Sequence, residues 1–154
     1  DDLEISSNIY FILSIGQMAI RKKIIEKFKD FNFETCIHPR ATISENCSYK
    51  KGNLFGPNSV IAGDSQIGDF NNFSQNSTTS HDCIIRNNNF FSPGSSIMGD
   101  CKIGDNNFFG VSSNMIPGTE IGDDNILGAN STIIRSEKKS NSTFIGIPAR
   151  NKNK

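Results

Sequence analysis

A parallel β-helix with three short strands to each turn is the fold class this sequence predicts, and two nested periods predict it. From Ile43 to Ile133 every sixth residue is apolar: Ile43, Tyr49, Phe55, Ile61, Ile67, Phe73, then past Thr79 to Ile85, Phe91, Ile97, Ile103, Phe109, Met115, Ile121, Leu127 and Ile133. Four residues after each member stands something small, and this second series repeats at eighteen, with Asn53, Asn71, Asn89, Asn107 and Asn125 as one family and Ser59, Ser77, Ser95, Ser113 and Ser131 as another. Cys47, Ser65, Cys83, Cys101 and Thr119 form the third. Neither the helical nor the strand period does this; six nested in eighteen describes a coil of hexapeptide repeats. The apolar series then lines a triangular prism whose coils lie about 4.8 Å apart, with Phe55, Phe73, Phe91, Phe109 and Leu127 stacked on one wall.

In chain order, Asn8 to Gly16 (NIYFILSIG) predicts a buried strand ending at a glycine. Gln17 to Phe31 predicts an amphipathic helix, with Met18, Ile20, Ile24, Ile25 and Phe28 set among Arg21, Lys22, Lys23, Glu26 and Lys27. No G-x-G-x-x-G accompanies this strand and helix, and a lone α/β unit cannot cover both faces of a sheet. Residues 1–37 are therefore expected to be the tail of a larger domain, and residues 38–154 the β-helix. Asn32 to Ile37 is a short extended link, and Pro39 biases His38 away from helix at the start of the first coil. The register never slips, so no loop is inserted, and a binding site must be made by walls, corners and neighbouring subunits. After Ile133 the run RSEKKSNS predicts a mobile turn, and Thr143 to Ile147 a last strand. The two terminal additions would cover coil edges that otherwise invite aggregation.

Composition narrows the function. The chain has 154 residues with sixteen basic and sixteen acidic side chains and no net charge, which points away from nucleic acid and anionic membranes. The longest apolar run, Ile9 to Ile15, is broken by Ser14 and is far shorter than the ~20 residues of a membrane span. With no signal-peptide pattern, a cytoplasmic location is expected. Cys47, Cys83 and Cys101 occupy the packing slot of the repeat, although Cys83 and Cys101, one coil apart, are within reach of a disulfide under oxidation.

Only His38 and His81 could serve as histidine bases. His38 is explained by its turn. His81 lies in STTSHDC, the coil in which Thr79 interrupts the apolar series, and a local breach of a strict pattern is where function is expected. The adjacent Asp82 would raise the imidazole's basicity, as a general base near neutrality requires. The plainer reading makes His81 an exposed strand residue and Asp82 a corner residue. Two histidines on different coils cannot supply a three-histidine zinc site within one chain, and no metal is expected. Gly99, Gly104, Gly110, Gly122 and Gly128 follow His81; each could serve turn geometry, or together they could leave a groove for a long ligand.

The run from His81 to Ser136, HDCIIRNNNFFSPGSSIMGDCKIGDNNFFGVSSNMIPGTEIGDDNILGANSTIIRS, with FIGIPAR after it, resembles the left-handed β-helix acyltransferases. It is most similar to the branch that acetylates nucleotide-linked amino sugars and to the sialic-acid O-acetyltransferase-like proteins. The resemblance covers Cys36 to Arg150. It implies a homotrimer of left-handed coils, with acetyl-coenzyme A as co-substrate in a groove between subunits. It makes His81 the catalytic base and Asp82 its acidic neighbour, and it assigns Phe90, Gly99, Val111 and Ala129 to the coenzyme, with the Gly99 backbone near the thioester carbonyl. Phe90 stands where many relatives carry histidine. The resemblance also implies that residues 1–37 are what remains of a Rossmann-like nucleotide-sugar-binding domain, with Gly16 and Gln17 bordering the nucleotide pocket. The expected function is acetyl transfer to the amine of a nucleotide-linked amino sugar in bacterial glycan biosynthesis. The alternatives are sugar O-acetylation and a non-catalytic β-helix that assembles with a sugar-synthesis enzyme. An ice-binding prism would need ranks of threonine, which Thr78 and Thr79 do not continue.

Overall fold

The computed structural model describes residues 9–152. Cys36 onward winds into a left-handed parallel β-helix of two-residue strands. Its first wall runs from Cys36–Ile37 through Leu54–Phe55, Asn72–Phe73, Phe90–Phe91, Phe108–Phe109 and Ile126–Leu127 to Thr143–Ile145, closed by an antiparallel strand at Arg150–Asn151. The second wall has six strands from Thr42–Ile43 to Thr132–Ile133, and the third five from Ser48–Tyr49 to Glu120–Ile121. The eighteen-residue step is the pairing register itself: Phe73 lies beside Phe91, Ile97 beside Met115, and Ile85 beside Ile103.

Two columns hold the interior. Phe55, Phe73, Phe91 and Phe109 stack with ring centroids 5.1, 4.7 and 4.7 Å apart and nearly parallel planes, because parallel strands are themselves spaced by about that distance. The asparagine family forms a hydrogen-bonded ladder. Asn53 Oδ1 accepts the Asn71 N–H at 2.8 Å, Asn71 Oδ1 that of Asn89, Asn89 Oδ1 that of Asn107, and Asn107 Oδ1 that of Asn125. Their amide nitrogens donate to carbonyls, as Asn71 Nδ2 does to Arg86 O at 2.8 Å. Buried amides of this kind are tolerable only when so satisfied.

A third series at six runs through the corners. Asn58, Asp64, Asn76, Asp82, Asn88, Asp100, Asn106, Asp124 and Asn130 all have φ between 54° and 60°, and Gly52, Gly94 and Gly118 share the same sign. Asn, Asp and Gly are the residues that visit the left-handed region most readily. Phe70, with φ 58°, is the bulky exception.

Four expectations change. Asn8 lies outside the described residues, and the rest of the predicted first strand forms one parallel bridge, Phe11 to Phe33, with Leu13 buried but Ile9, Tyr10, Ile12 and Ile15 exposed. Phe33 provides that single pairing, and no longer ladder forms there. The helix, α1, is shorter than predicted, Met18–Lys27, and Ile20 on its expected apolar face is exposed while Arg21 is fully buried. Tyr49 is 43% exposed because its coil is the first of the third wall and has a neighbour on one side only. The polar run after Ile133 is laid against the coil: Glu137 bridges Ile121, its N–H donating to Glu120 O at 2.7 Å, and Lys138 pairs with Glu120 at 2.9 Å.

Candidate active site

His81 sits at the corner between the second wall, which it leaves at Thr78–Thr79, and the third, which begins at Ile84–Ile85. Its backbone is fixed from both sides: the Asp82 N–H donates to Gly63 O and the Asp100 N–H to His81 O, each at 3.1 Å. Asp82 occupies the left-handed corner position, in one column with Asp64 and Asp100. The side chains are therefore displayed from a rigid turn. His81 Nδ1–H donates to Asp82 Oδ2 at 2.8 Å, with the imidazole side chain 58% exposed. This bond raises the His81 pKa above its ordinary value; desolvation opposes the shift, and the charges of Asp82, Asp100 and Asp64 add to it. Holding the proton on Nδ1 leaves the Nε2 lone pair as the basic site.

The ring lies over Gly99. A Cβ at that position would stand 2.7 Å from His81 Cε1 and 2.8 Å from Nε2, so the absence of a side chain there is what allows the imidazole its place. The other glycines differ. At Gly104, Gly110 and Gly122 a Cβ would meet backbone of the adjacent coil at 2.6–2.8 Å. The lack of a side chain at these three positions allows the coils to stack closely. Thr79 points inward between Ile61 and Ile97, 1% exposed with its hydroxyl unpartnered, so the breach marks the coil without reaching the site. Cys83 and Cys101 are buried free thiols, and Cys83 Sγ donates inward to Met98 O at 3.2 Å. Among the described residues no cluster of three or more His, Cys, Asp or Glu could hold a metal ion.

No protein-family model matches the chain. Among curated proteins, an uncharacterized protein of Acanthamoeba polyphaga mimivirus is 38% identical over 60 residues, and the chain spans 12% of that protein's length. The GDP-perosamine N-acetyl transferase of Caulobacter crescentus, solved as a mutant with CoA and GDP-perosamine, is 30% identical, covers 93% of this chain and is itself covered to 69%, with a TM-score of 0.88. The chain belongs to the hexapeptide-repeat acyltransferases, in the nucleotide-amino-sugar branch. The acetyltransferase domain of PglB from Neisseria gonorrhoeae, in complex with acetyl coenzyme A, is similar at 25% identity and a TM-score of 0.85 over 91% of this chain and 69% of that one. WeeI of Acinetobacter baumannii, at 21% identity and a TM-score of 0.89 over 96% of this chain and 73% of its own, shares the fold.

On this acyltransferase chain the residues singled out from the sequence fall into three groups. His81, Asp82 and Gly99 meet at one corner. Val111 and Ala129 stand one above the other along the opposite edge of the second wall, where the Asn130 N–H donates to Val111 O at 2.8 Å. Phe90 lies on the outer face of the first wall, stacked on Phe108 at 5.5 Å and beneath the start of α1: a Cβ on Gly16 would be 3.6 Å from its ring. Gln17 caps α1 through its carbonyl, which accepts the Ile20 and Arg21 N–H groups. Between α1 and the first wall opens a groove of about 530 Å³, lined by Gly16, Met18, Lys22, Phe108 and Ile126 among others. One chain thus carries the base and the Phe90–Gly16 cluster on different faces.

Helical spacing puts Arg21 on the polar face of α1 and gives no sign of its part in this cluster. Its guanidinium is 0% exposed, bonded to Asn88 Oδ1, Ile15 O and Phe70 O, and 5.9 Å from the Phe90 ring centroid.

Proposed function

We propose that the chain transfers the acetyl group of acetyl-coenzyme A to the amine of a nucleotide-linked amino sugar in bacterial glycan biosynthesis. The observation that carries this is the His81 imidazole, held by Asp82 at 2.8 Å and seated over Gly99. A base with its Nε2 lone pair outward suits an amine that must lose a proton as it attacks. In the mechanism, the neutral amine nitrogen adds to the thioester carbonyl carbon, its C–N bond forming as the carbonyl π pair moves onto oxygen. His81 Nε2 takes the proton from nitrogen, and Asp82 stabilises the resulting imidazolium. The Gly99 N–H, which has no acceptor among the described backbone groups, stabilises the oxyanion. Collapse expels the coenzyme A thiolate, which recovers the proton. No covalent acyl-enzyme is needed, consistent with the inward-facing Cys83.

The same reading makes the working unit a homotrimer. Gly16 and Gln17 of one copy would face His81 of the next across a groove in which Phe90, Gly99, Val111 and Ala129 line the coenzyme. Residues 1–37 we read as the last part of a Rossmann-like domain, a reading supported by the parallel Phe11–Phe33 bridge on either side of α1. No described helix is long and apolar enough to cross a membrane. A cytoplasmic location is part of the same proposal.

Acetyl-coenzyme A turnover against a panel of nucleotide-linked amino sugars tests the proposal, with His81→Ala alongside. The variant is expected to lose on the order of 10²–10⁴ in kcat with its β-rich circular dichroism and coenzyme binding retained. Full transfer by His81→Ala would end the mechanism, and a monomer mass in sedimentation would end the shared groove.

A further inference from the structure

Arg21 is the largest fully buried side chain of the described residues, and no carboxylate among them pairs with it. Burial lowers its pKa to about 10, so it remains a cation at neutrality. A buried charge without a counter-ion is expensive, and an apolar residue would fill the same space at lower cost. What the guanidinium alone does is reach three things at once. Its Nη1 donates to the carbonyls of Leu13 at 3.4 Å and Ile15 at 2.9 Å, on the segment leading to Gly16. Its Nε and Nη2 donate to Asn88 Oδ1 at 3.0 Å and Phe70 O at 2.6 Å, on two neighbouring coil corners. Its Cζ stands over the Phe90 ring, 5.9 Å from the centroid. A planar five-donor fork can do this, and an ammonium cannot.

The coil is altered to receive it. Phe70 holds a left-handed corner with φ 58°, where the neighbouring corners use Asp64 and Asn76. A bulky side chain in that conformation is strained. Phe70 is nonetheless buried, packed edge-on against Phe33 at 5.0 Å, with Gly52 leaving room for its ring. Two costly choices, a buried unpaired cation and a left-handed phenylalanine, meet in one 2.6 Å hydrogen bond.

We propose that Arg21 is a positioning residue for the acceptor half of the site: it clamps the Leu13–Ile15 segment to the coil and so sets Gly16 and Gln17 against Phe90. This rests on the reading above that the nucleotide sugar borders those residues.

The test uses the full chain with Arg21→Met, similar in volume and uncharged, and Arg21→Lys, which keeps the charge but not the fork. Acceptor and acetyl-coenzyme A are varied separately, and amide hydrogen exchange is followed by mass spectrometry. Arg21→Met is expected to raise the acceptor KM tenfold or more, with kcat and the coenzyme KM within twofold of wild type, because Phe90 keeps its place through its strand pairing and its stacking on Phe108. Exchange should accelerate in residues 12–17 and not in the coil around Phe91. Arg21→Lys should fall between, and it carries the test if Arg21→Met does not fold. An unchanged acceptor KM, or equal rises in both KM values, overturns the positioning role. Exchange does not depend on turnover. If wild type acetylates no nucleotide amino sugar, the functional reading fails by itself, while unchanged exchange at residues 12–17 overturns the clamp.

Discussion

The phenylalanine column inside the coil and the corner column that contains His81 are built by the same eighteen-residue step, yet they treat identity oppositely. Inside, Phe55, Phe73, Phe91 and Phe109 repeat without change, because each ring's surroundings are the rings above and below it. At the corner, Gly63, His81, Gly99 and Pro117 follow one another with no single chemical class kept from coil to coil. Side chains there point away from the prism and are not packed by their own repeats. The period thus constrains the interior and leaves the corner free to carry chemistry, provided the residue one coil on leaves room.

Four substitutions separate the two columns. Phe91→Ala should have the largest effect on stability, about 3–5 kcal/mol for a buried aromatic truncated in a stack, read as a fall in the thermal midpoint; a change under ~1 kcal/mol would mean the column is not what holds the coil. Gly99→Ala should do the reverse. Its backbone is not in the left-handed region, but its Cβ would meet the His81 ring at 2.7 Å. A loss on the order of 10²-fold in kcat is expected from a displaced base, with little change in the melting curve. Asp82→Asn keeps a residue that accepts the left-handed corner and removes the main cause of the raised His81 pKa. The base must be neutral, so kcat/KM falls as pH drops through that pKa. In the variant this acid limb should move to lower pH; a limb that stays in place assigns it to another group. Thr79→Val should have the smallest effect: it removes a buried, unpartnered hydroxyl and is expected to be neutral or stabilising by up to ~1 kcal/mol, with kcat unchanged.

What was legible in the sequence follows the same division. Where a residue's neighbours are copies of itself, as along the walls, period alone places it, and the predicted wall from Phe55 to Leu127 is found intact. His81 stands out as one of two histidines and lies in the coil that Thr79 interrupts, and in the structure its ring is bonded to Asp82. Thr79, read as part of the same irregularity, belongs to the interior instead. The N-terminal segment is poorly legible from its own residues because its contacts are long-range. Arg21 bonds across 49 and 67 residues to Phe70 and Asn88, and helical periodicity sees only its own helix. Two signals were nonetheless present: a single arginine beside Lys22 and Lys23, and a phenylalanine at position 70 where the corner series otherwise favours Asn, Asp or Gly. The polarity of the run after Ile133 predicts mobility, but its carbonyls and amides continue the ladder of the third wall, a role open to almost any side chain.

The asparagine ladder gives the stack a direction. In every rung the oxygen belongs to the earlier coil and the amide to the later one, from Asn53 to Asn125, whose Oδ1 accepts the Ser142 N–H. At the other end the Asn53 N–H is taken by the Thr35 hydroxyl. The prism therefore has unlike ends, as a filament does, one finishing in a donor and the other in an acceptor, each closed by a residue from outside the repeat. The ladder thus ends on the Thr35 hydroxyl at one side and on the Ser142 backbone N–H at the other, so neither terminal asparagine leaves a polar group unpaired.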